Sequence, residues 1–520
     1  MQSSVYSFNL YEVDQFVVFV DDKAFFLSNG LQGLYETDIE AAAVGLTPEN
    51  SWHDDRDQIY ITLDRIEQAK YRFPKDKRKA ILNKFKQISE EGEAYFTKHS
   101  DAKVVLEIVT EFQGLHQYSL KSYPISYDYC NGLRIQVPDT DWSTELTDRD
   151  TGLKLEMAGS FVTNTKWCIP WDFVVKYKNR KVFEHKFNLE NKKVVICGGA
   201  ALGDSLAWIP YFKEFKDRNK IKDLWVNMVG TASVDLLREH YADDPHLHFM
   251  HERGDEYLSD GEPVYASYTC GLHFAPRYQR FLTPIPVRNQ HLPSVVSWQL
   301  GMKPEDAQPL RLTHVKPVRL SERPYVCIAG LSTCRSKNWN NITGWHELIK
   351  KLRTMGYKVF DIDKDSCINS GGAIDYAPIP NSPTVGNIPI RQRAEALAGA
   401  DFFVGPSSGL CWLARAVGCP TIMIGGFTLP INEYENPYRA WNPHCCVGCL
   451  HDGSMELNRF NYNWCPRFAD NDYRKFECTK SITADMVMHQ IERLMKDYEL
   501  NPEGGPRKYM CDLNTHLPMK

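Results

Sequence analysis

Between residues 192 and 424 the chain alternates short apolar runs with amphipathic stretches, and this restricts the fold more than any other feature. Residues 194–197 read as a strand, 205–216 as a helix, 224–229 as a strand, 233–241 as a helix and 247–250 as a strand. The cycle restarts with strand 325–329, helix 343–355, strand 358–362, helix 391–397, strand 402–404, helix 409–417 and strand 421–424. Consecutive strands joined by helices pair in parallel, because a parallel pair needs a long crossover. The proline-rich stretch 276–324 separates the two runs. The expectation is an α/β protein with two Rossmann-like domains facing a cleft. Ligands of such sheets bind outside the C-terminal ends of the strands, so chemistry is sought in the loops that follow them. Residues 483–498 form a last amphipathic helix.

The N-terminal part has a different period. Strand candidates at 104–109, 117–120, 133–137, 153–157 and 173–177 are separated by turn signals such as Asp150-Thr151-Gly152 and Lys178-Asn179-Arg180, which suggests a small β domain over 104–190. Residues 1–103 read as an accessory α+β domain, with β-like runs at 6–20 and 24–27 before a charged helical stretch, 59–99, interrupted at Pro74.

Charge excludes a globally basic polyanion binder: 61 Lys and Arg against 66 Asp and Glu leave −5 over 520 residues. No apolar run approaches the roughly 18 residues of a membrane helix. The apolar run 16–20 has acidic neighbours and no basic segment before it, so no signal peptide is read and a cytoplasmic protein is expected. In a reducing compartment the 15 cysteines are thiols or metal ligands. Cys197, Cys327 and Cys411, among apolar and small residues, read as buried packing.

Three loops at strand ends carry candidate chemistry. The first is Gly198-Gly199-Ala200-Ala201-Leu202-Gly203-Asp204-Ser205. Its spacing mimics a phosphate loop, but Asp204 stands where the lysine belongs and would repel a triphosphate. Asp204 is placed either as a general base facing the crevice or as a helix cap. The second is Gly405-Pro406-Ser407-Ser408-Gly409, where hydroxyls and backbone N–H groups gather at a helix start, suited to a diphosphate or to plain serine capping. The third, Gly330-Leu331-Ser332-Thr333-Cys334-Arg335-Ser336-Lys337, offers hydroxyls and two cations; Lys337 either neutralises phosphate or is a solvated loop lysine. Asp361-Ile362-Asp363 is a D-x-D that some glycosyltransferases use for a divalent metal, but here it ends an amphipathic strand in the second half-domain, which favours a structural role. Cys446-x-x-Cys449 followed by Cys465 and Cys478 matches a closed tetrahedral thiolate site for zinc or iron, with Cys445 adjacent as a competitor.

Gly203-Asp204 with Trp208-Ile209-Pro210, Lys337-Asn338-Trp339-Asn340-Asn341 with Thr343-Gly344-Trp345, and Gly405 to Gly409 with Trp412-Leu413-Ala414 together resemble the bacterial autotransporter heptosyltransferases. So does Trp464-Cys465-Pro466-Arg467 leading to Phe476-Glu477-Cys478-Thr479-Lys480. The resemblance covers roughly residues 104–500, including the β domain ending Phe183-Glu184-His185, and the cysteine finger separates this branch from the related lipopolysaccharide heptosyltransferases. It implies an inverting GT-B glycosyltransferase that moves heptose from ADP-heptose to serine hydroxyls of autotransporter adhesins. The family's catalytic aspartate matches Asp204 and its phosphate-contacting lysine Lys337. Its diphosphate-binding helix start matches Ser407, Ser408 and Gly409. Its iron-holding finger matches Cys446, Cys449, Cys465 and Cys478. Residues 1–103 are additional to the family, and Cys465 and Cys478 stand closer together than its pattern.

On this basis residues 191–315 form the acceptor-side domain, with Gly203 in its loop. Residues 316–444 form the donor-side domain, with Ser332 and Thr333 beside Lys337. Residues 445–480 are the metal finger and 481–520 a C-terminal helix and tail. Iron is expected in the finger, zinc being the alternative, and a homo-oligomer is implied by the family. Two other readings keep the fold: transfer to a hydroxymethylated DNA base, suggested by the basic cluster Lys75-Asp76-Lys77-Arg78-Lys79, and a non-catalytic scaffold. The acidic balance argues against the first, and the presence of Asp204 and Lys337 against the second.

Overall fold

The computed structural model describes residues 125–520 except 138–139, 199–200, 229–231, 251–255, 275–279, 371–372, 380–384, 456, 459–460 and 470–471. Before residue 125 it describes five strands. The chain forms two compact units, Met1–Asn164 with Ile169–Asn188, and Thr165–Cys168 with Leu189–Lys520.

In the first unit one sheet has the order Lys23–Ser28, Gln15–Val20, Val104–Phe112, Leu115–Lys121, Gln58–Thr62. It crosses the boundary expected at residue 103, because the strands on either side of that boundary pair with each other. Gln58–Thr62 is a strand where the sequence suggested a helix beginning at 59; its Ile-Tyr-Ile core is β-branched and aromatic. The rest of that stretch, 63–99, lies outside the described residues, as do residues 6–14 of the first β-like run.

A second sheet of this unit has the order Arg180–His185, Trp171–Tyr177, Trp142–Asp148, Lys154–Ala158. Trp142–Asp148 was not anticipated: its inward positions include Thr144 and Asp148, which hide the period-two pattern. Asp148 is buried because its carboxylate accepts from Asp150 N, 3.0 Å away, and from Thr151 Oγ1, 2.5 Å away, building the turn that sequence reasoning located at Asp150-Thr151-Gly152.

The second unit contains the two Rossmann-like sheets. In the first, β1 (Lys193–Cys197), β2 (Asp223–Asn227), β3 (Leu247–Phe249) and β4 (Ala266–Thr269) are parallel, in the order β4-β1-β2-β3. In the second, β5 (Tyr325–Ile328), β6 (Lys358–Asp361), β7 (Phe402–Pro406), β8 (Thr421–Ile424) and β9 (Arg439–Ala440) are parallel, in the order β6-β5-β7-β8-β9. Every residue of β5, β7 and β8 is buried, as expected of parallel strands covered on both faces. Cys327 and Cys411 are buried as expected; Cys197, the last residue of β1, is exposed.

Helices α1 (Leu202–Arg218), α2 (Val234–His240) and α3 (Leu292–Gln299) accompany the first sheet. Helices α4 (Gly344–Thr354), α5 (Ile390–Gly399), α6 (Gly409–Ala416), α7 (Glu477–Lys480) and α8 (Ala484–Asp497) accompany the second. Trp345, Leu348, Ile349 and Leu352 of α4 and Val487, Ile491 and Leu494 of α8 share one core cluster with Val326, Val404 and Ile422 of the sheet. The tail closes over the same sheet. His516 is fully buried, accepts from Thr421 N at 2.8 Å, and is pushed down to about 3 by burial, so the ring is neutral and free to accept. Among the described residues no helix is long and apolar enough to cross a membrane.

Candidate functional site

Helix α1 begins three residues earlier than the sequence suggested, so Gly203 and Asp204 lie within its first turn. An acidic side chain there favours the positive end of the helix dipole. The residue before the helix, Ala201, supplies no side-chain cap. Gly203 is buried, and Asp204 is half-buried with an interaction of its own.

The N-terminal turn of α6 meets that of α1 backbone to backbone. A Cβ on Gly409 would stand 2.7 Å from Leu202 Cβ and 3.0 Å from Gly203 N; one on Gly203 would stand 3.0 Å from Trp412 Cδ1 and 3.3 Å from Gly409 Cα. The two glycines permit this approach, which places the turn carrying Asp204 against the turn carrying Ser408 and Gly409. Two helix N-termini at one place present their unsatisfied N–H groups and positive dipole ends together.

The Ser407-Ser408 pair does not act as a plain cap. Ser408 is the residue before α6, yet its hydroxyl makes no capping hydrogen bond and, among the described residues, is buried without a partner. Ser407 Oγ donates to Glu433, a carboxylate only 4% exposed. Arg439 is buried nearby; burial lowers its pKa and the Glu433 charge raises it. Burial also pushes the Cys411 thiol of α6 far above its usual value, with Glu433 adding to the rise while Lys337 and Arg439 oppose it. Glu433 and Arg439 escaped sequence reasoning because nothing in the local pattern around either marks a buried charge.

Lys337 ends a single 3₁₀ turn, Arg335–Lys337, in the loop after β5, and among the described residues its ammonium makes no hydrogen bond or ion pair. Its neighbours are anchored. Ser332 Oγ lies 2.9 Å from Cys334 O and 2.6 Å from Asn338 Oδ1, so this hydroxyl braces the loop instead of standing open. Thr333 is exposed. Beyond the turn, Trp339 Nε1 donates to Ile482 O at 2.8 Å and Asn340 Nδ2 to Thr479 Oγ1 at 2.9 Å.

The D-x-D is internal, which removes it as a metal holder. Asp361 and Asp363 are buried, and Asp363 Oδ2 accepts from Gly330 N at 2.6 Å and Leu331 N at 3.1 Å, fixing the root of the Lys337 loop. Burial raises the pKa of both carboxyls, and the charge of Asp361 adds to the rise at Asp363. A folded-state pKa above the unfolded one means the native state holds the proton more tightly, so this stability is present at acid pH and lost as pH rises above the ordinary carboxylate range. Asp363→Asn keeps an oxygen for the two N–H groups and removes the buried charge; it should leave the melting temperature unchanged or higher at pH 8 and flatten its decline above pH 5. Asp363→Ala removes the acceptor and should cost about 1–3 kcal/mol. Thermal melts of both variants between pH 5 and 8 check this, and equal melting for the two would refute the brace.

The four finger cysteines share one neighbourhood. The nearby Cys478 holds the Cys446 thiol below its usual value, while Cys446 and burial raise Cys478 well above its own, with Cys449 and Cys465 adding to the rise; burial raises Cys449 and the Arg467 charge opposes it. Cys445 is separate: its Sγ donates to Asn442 O at 3.1 Å and lies 3.3 Å from Ser481 Oγ. Among the described residues no group of three or more His, Cys, Asp or Glu side chains converges closely enough to hold a metal ion as it stands. The donor chemistry, four soft thiols beside a cation, is that of an iron or zinc thiolate site.

The chain as a whole has relatives among known proteins. Residues 290–449 match the glycosyltransferase family 9 (heptosyltransferase) domain. The autotransporter heptosyltransferase BAHTCr of Citrobacter rodentium is 34% identical over 382 residues, 71% of this chain and 89% of its own. TibC of Escherichia coli O78:H11, also named an autotransporter heptosyltransferase, is 33% identical over 377 residues, with the same two coverages of 71% and 89%. BimC of Burkholderia thailandensis, named an inactive autotransporter heptosyltransferase, is 30% identical over 380 residues, 71% of this chain and 86% of its own. The crystal structure of the iron-containing dodecameric glycosyltransferase TibC from enterotoxigenic E. coli superposes with a TM-score of 0.65 and 31% identity, covering 72% of this chain and 96% of TibC. A second TibC structure holds ADP-D-β-D-heptose and superposes with a TM-score of 0.64, 30% identity and the same coverages of 72% and 96%.

Proposed function

The chain belongs to the autotransporter heptosyltransferases, and from that membership we propose that it transfers heptose from ADP-heptose to a serine hydroxyl of an autotransporter-type protein, inverting the anomeric carbon. The observation that carries the reading is the meeting of the α1 and α6 N-termini, with Asp204 on one and the unpartnered Ser408 hydroxyl on the other.

In this reading the donor diphosphate sits at Ser407, Ser408 and Gly409 with the unpaired Lys337 ammonium against it. Ser332 and Thr333 shape the wall of that loop. Asp204 accepts the proton of the acceptor hydroxyl as its oxygen attacks the anomeric carbon. The bond to the diphosphate oxygen breaks and its electron pair leaves with ADP. The charge that develops there is met by fixed N–H dipoles and a lysine already in place, which costs no reorganisation at the moment of reaction. Gly203 gives the acceptor-side loop the closeness that the step needs.

TibC is iron-containing, and the residues of this chain that would hold an iron are Cys446, Cys449, Cys465 and Cys478. Bound there, a metal cross-links a segment with few aliphatic residues of its own. TibC is also dodecameric, which supports a homo-oligomer here. A cytoplasmic location accords with a nucleotide-sugar donor. The relatives are named for autotransporters and give the DNA-base acceptor no support.

The test is a donor panel. Purified protein with an autotransporter passenger fragment is given ADP-heptose, UDP-glucose, GDP-mannose and a pentose nucleotide, and released nucleoside diphosphate is measured. Release from ADP-heptose with label appearing on serine is the expected result; preference for a uridine or pentose donor would overturn it. Lys337→Ala should raise KM for the donor about 10- to 100-fold, the ~1.5–3 kcal/mol of a charge-assisted hydrogen bond.

A further inference from the structure

We propose that Tyr462, in the cysteine-rich segment, is a positioning residue for the donor diphosphate, acting through Asn338 on Lys337. The proposal rests on the assignment of Lys337 to that diphosphate.

The loop between β5 and α4 has one 3₁₀ turn of its own, too short to hold a cation in place. Its anchors come from a segment more than a hundred residues later in the chain. Arg335 N donates to Tyr462 O at 2.9 Å, and Arg335 Nη1 to Asn463 Oδ1 at 3.1 Å. Asn338 Nδ2 donates to the Tyr462 phenol oxygen at 2.7 Å, and Asn341 Nδ2 to Lys480 O at 3.0 Å. These bonds flank Lys337 on both sides while its ammonium has none among the described residues, so the place of that ammonium follows the loop and the loop follows the segment. Asn338 is fully buried, and its amide is fixed at both ends, with Oδ1 toward the Ser332 hydroxyl and Nδ2 toward the phenol. Removing the phenol hydroxyl leaves a buried N–H without an acceptor beside Lys337. The loop then relaxes to find another partner, because an unpaired buried donor is unfavourable. The segment is in turn fastened to the loop after β8: Gly448 N donates to Gly426 O at 2.8 Å and Leu450 N to Phe427 O at 3.1 Å. The cysteine-rich segment is therefore the mount that sets the donor lysine against the sheet edge.

The test is a double-mutant cycle read by calorimetric titration with ADP on the protein as purified. Tyr462→Phe should weaken ADP binding about fivefold, the ~1 kcal/mol of one hydrogen bond. Lys337→Ala should weaken it further, and the double variant should bind no worse than Lys337→Ala alone, because Tyr462 acts through Lys337. Iron content of Tyr462→Phe is expected to match the parent, and its melting temperature to fall by no more than one lost buried hydrogen bond explains. If they do not, the cycle still decides, since a merely structural loss adds its full factor in the Lys337→Ala background. Unchanged affinity in Tyr462→Phe, or additive losses, would overturn the positioning role and leave the donor assignment standing. Unchanged affinity in Lys337→Ala would overturn the donor assignment and the positioning role with it.

Discussion

Asp204→Asn should cut transfer by about 10²- to 10⁴-fold, the usual contribution of a positioned general base. The substitution keeps size and polarity and removes only the ability to take the proton. It separates the two roles open to a carboxylate in the first turn of α1. A residue that serves the helix dipole contributes about 0.3–1 kcal/mol to stability, and its loss leaves the rate alone. A base that faces the acceptor loses the rate and leaves stability nearly unchanged. ADP affinity should hold or improve, since a negative charge near the diphosphate is removed. The measurement is kcat with saturating ADP-heptose and acceptor, set beside the melting temperature and an ADP titration. Full transfer with a small drop in melting would make Asp204 a dipole residue and move the base elsewhere. The same assay separates this chain from its inactive relative BimC, since residual turnover in the parent is itself the discriminating result.

The two parallel sheets were legible because buried parallel strands such as Tyr325–Ile328 and Thr421–Ile424 are apolar throughout and bounded by turn residues. Ala266–Thr269 was not, because Ala-Ser-Tyr-Thr is too short and polar to stand out, and becomes a strand by pairing with β1. The start of α1 was misplaced because Gly203 is a poor helix former and Ala201 a poor cap; packing against α6 holds the turn that local preference does not. The loops that carry the candidate site were visible as motifs. What supports them was not. The partners of Ser407, Asn338 and Gly330 are Glu433, Tyr462 and Asp363, which lie 26, 124 and 33 residues away in the chain and share no spacing rule with them. The D-x-D shows the reverse: a pattern that can mark a metal holder is here a pair of buried carboxyls, one of them tied to backbone N–H groups, as its place at the end of a strand suggested.

Gly409→Ala should lower transfer about 100-fold although helix propensity alone argues that it stabilises. Alanine is better than glycine in a helix by about 1 kcal/mol. At this position the new Cβ would stand 2.7 Å from Leu202 Cβ and 3.0 Å from Gly203 N. Neither atom can swing away, since one is the root of a side chain and the other is backbone. The N-terminal turns of α1 and α6 must separate, and Asp204 moves with α1. A displacement of ~1 Å between reacting groups is enough for ~10²-fold in rate. Gly203→Ala meets gentler contacts, 3.0 Å to the Trp412 ring and 3.3 Å to Gly409 Cα, so its loss should be smaller. The cost in stability should stay near the ~1–3 kcal/mol of an overpacked contact. Rate and melting temperature, measured on both variants, decide the matter. If Gly409→Ala melts higher and transfers at the parent rate, the two helix ends do not work against each other, and the pairing of Asp204 with the diphosphate loop loses its geometric basis. If the rate falls far more than the melting temperature explains, the closeness of two glycines is what brings base and donor together.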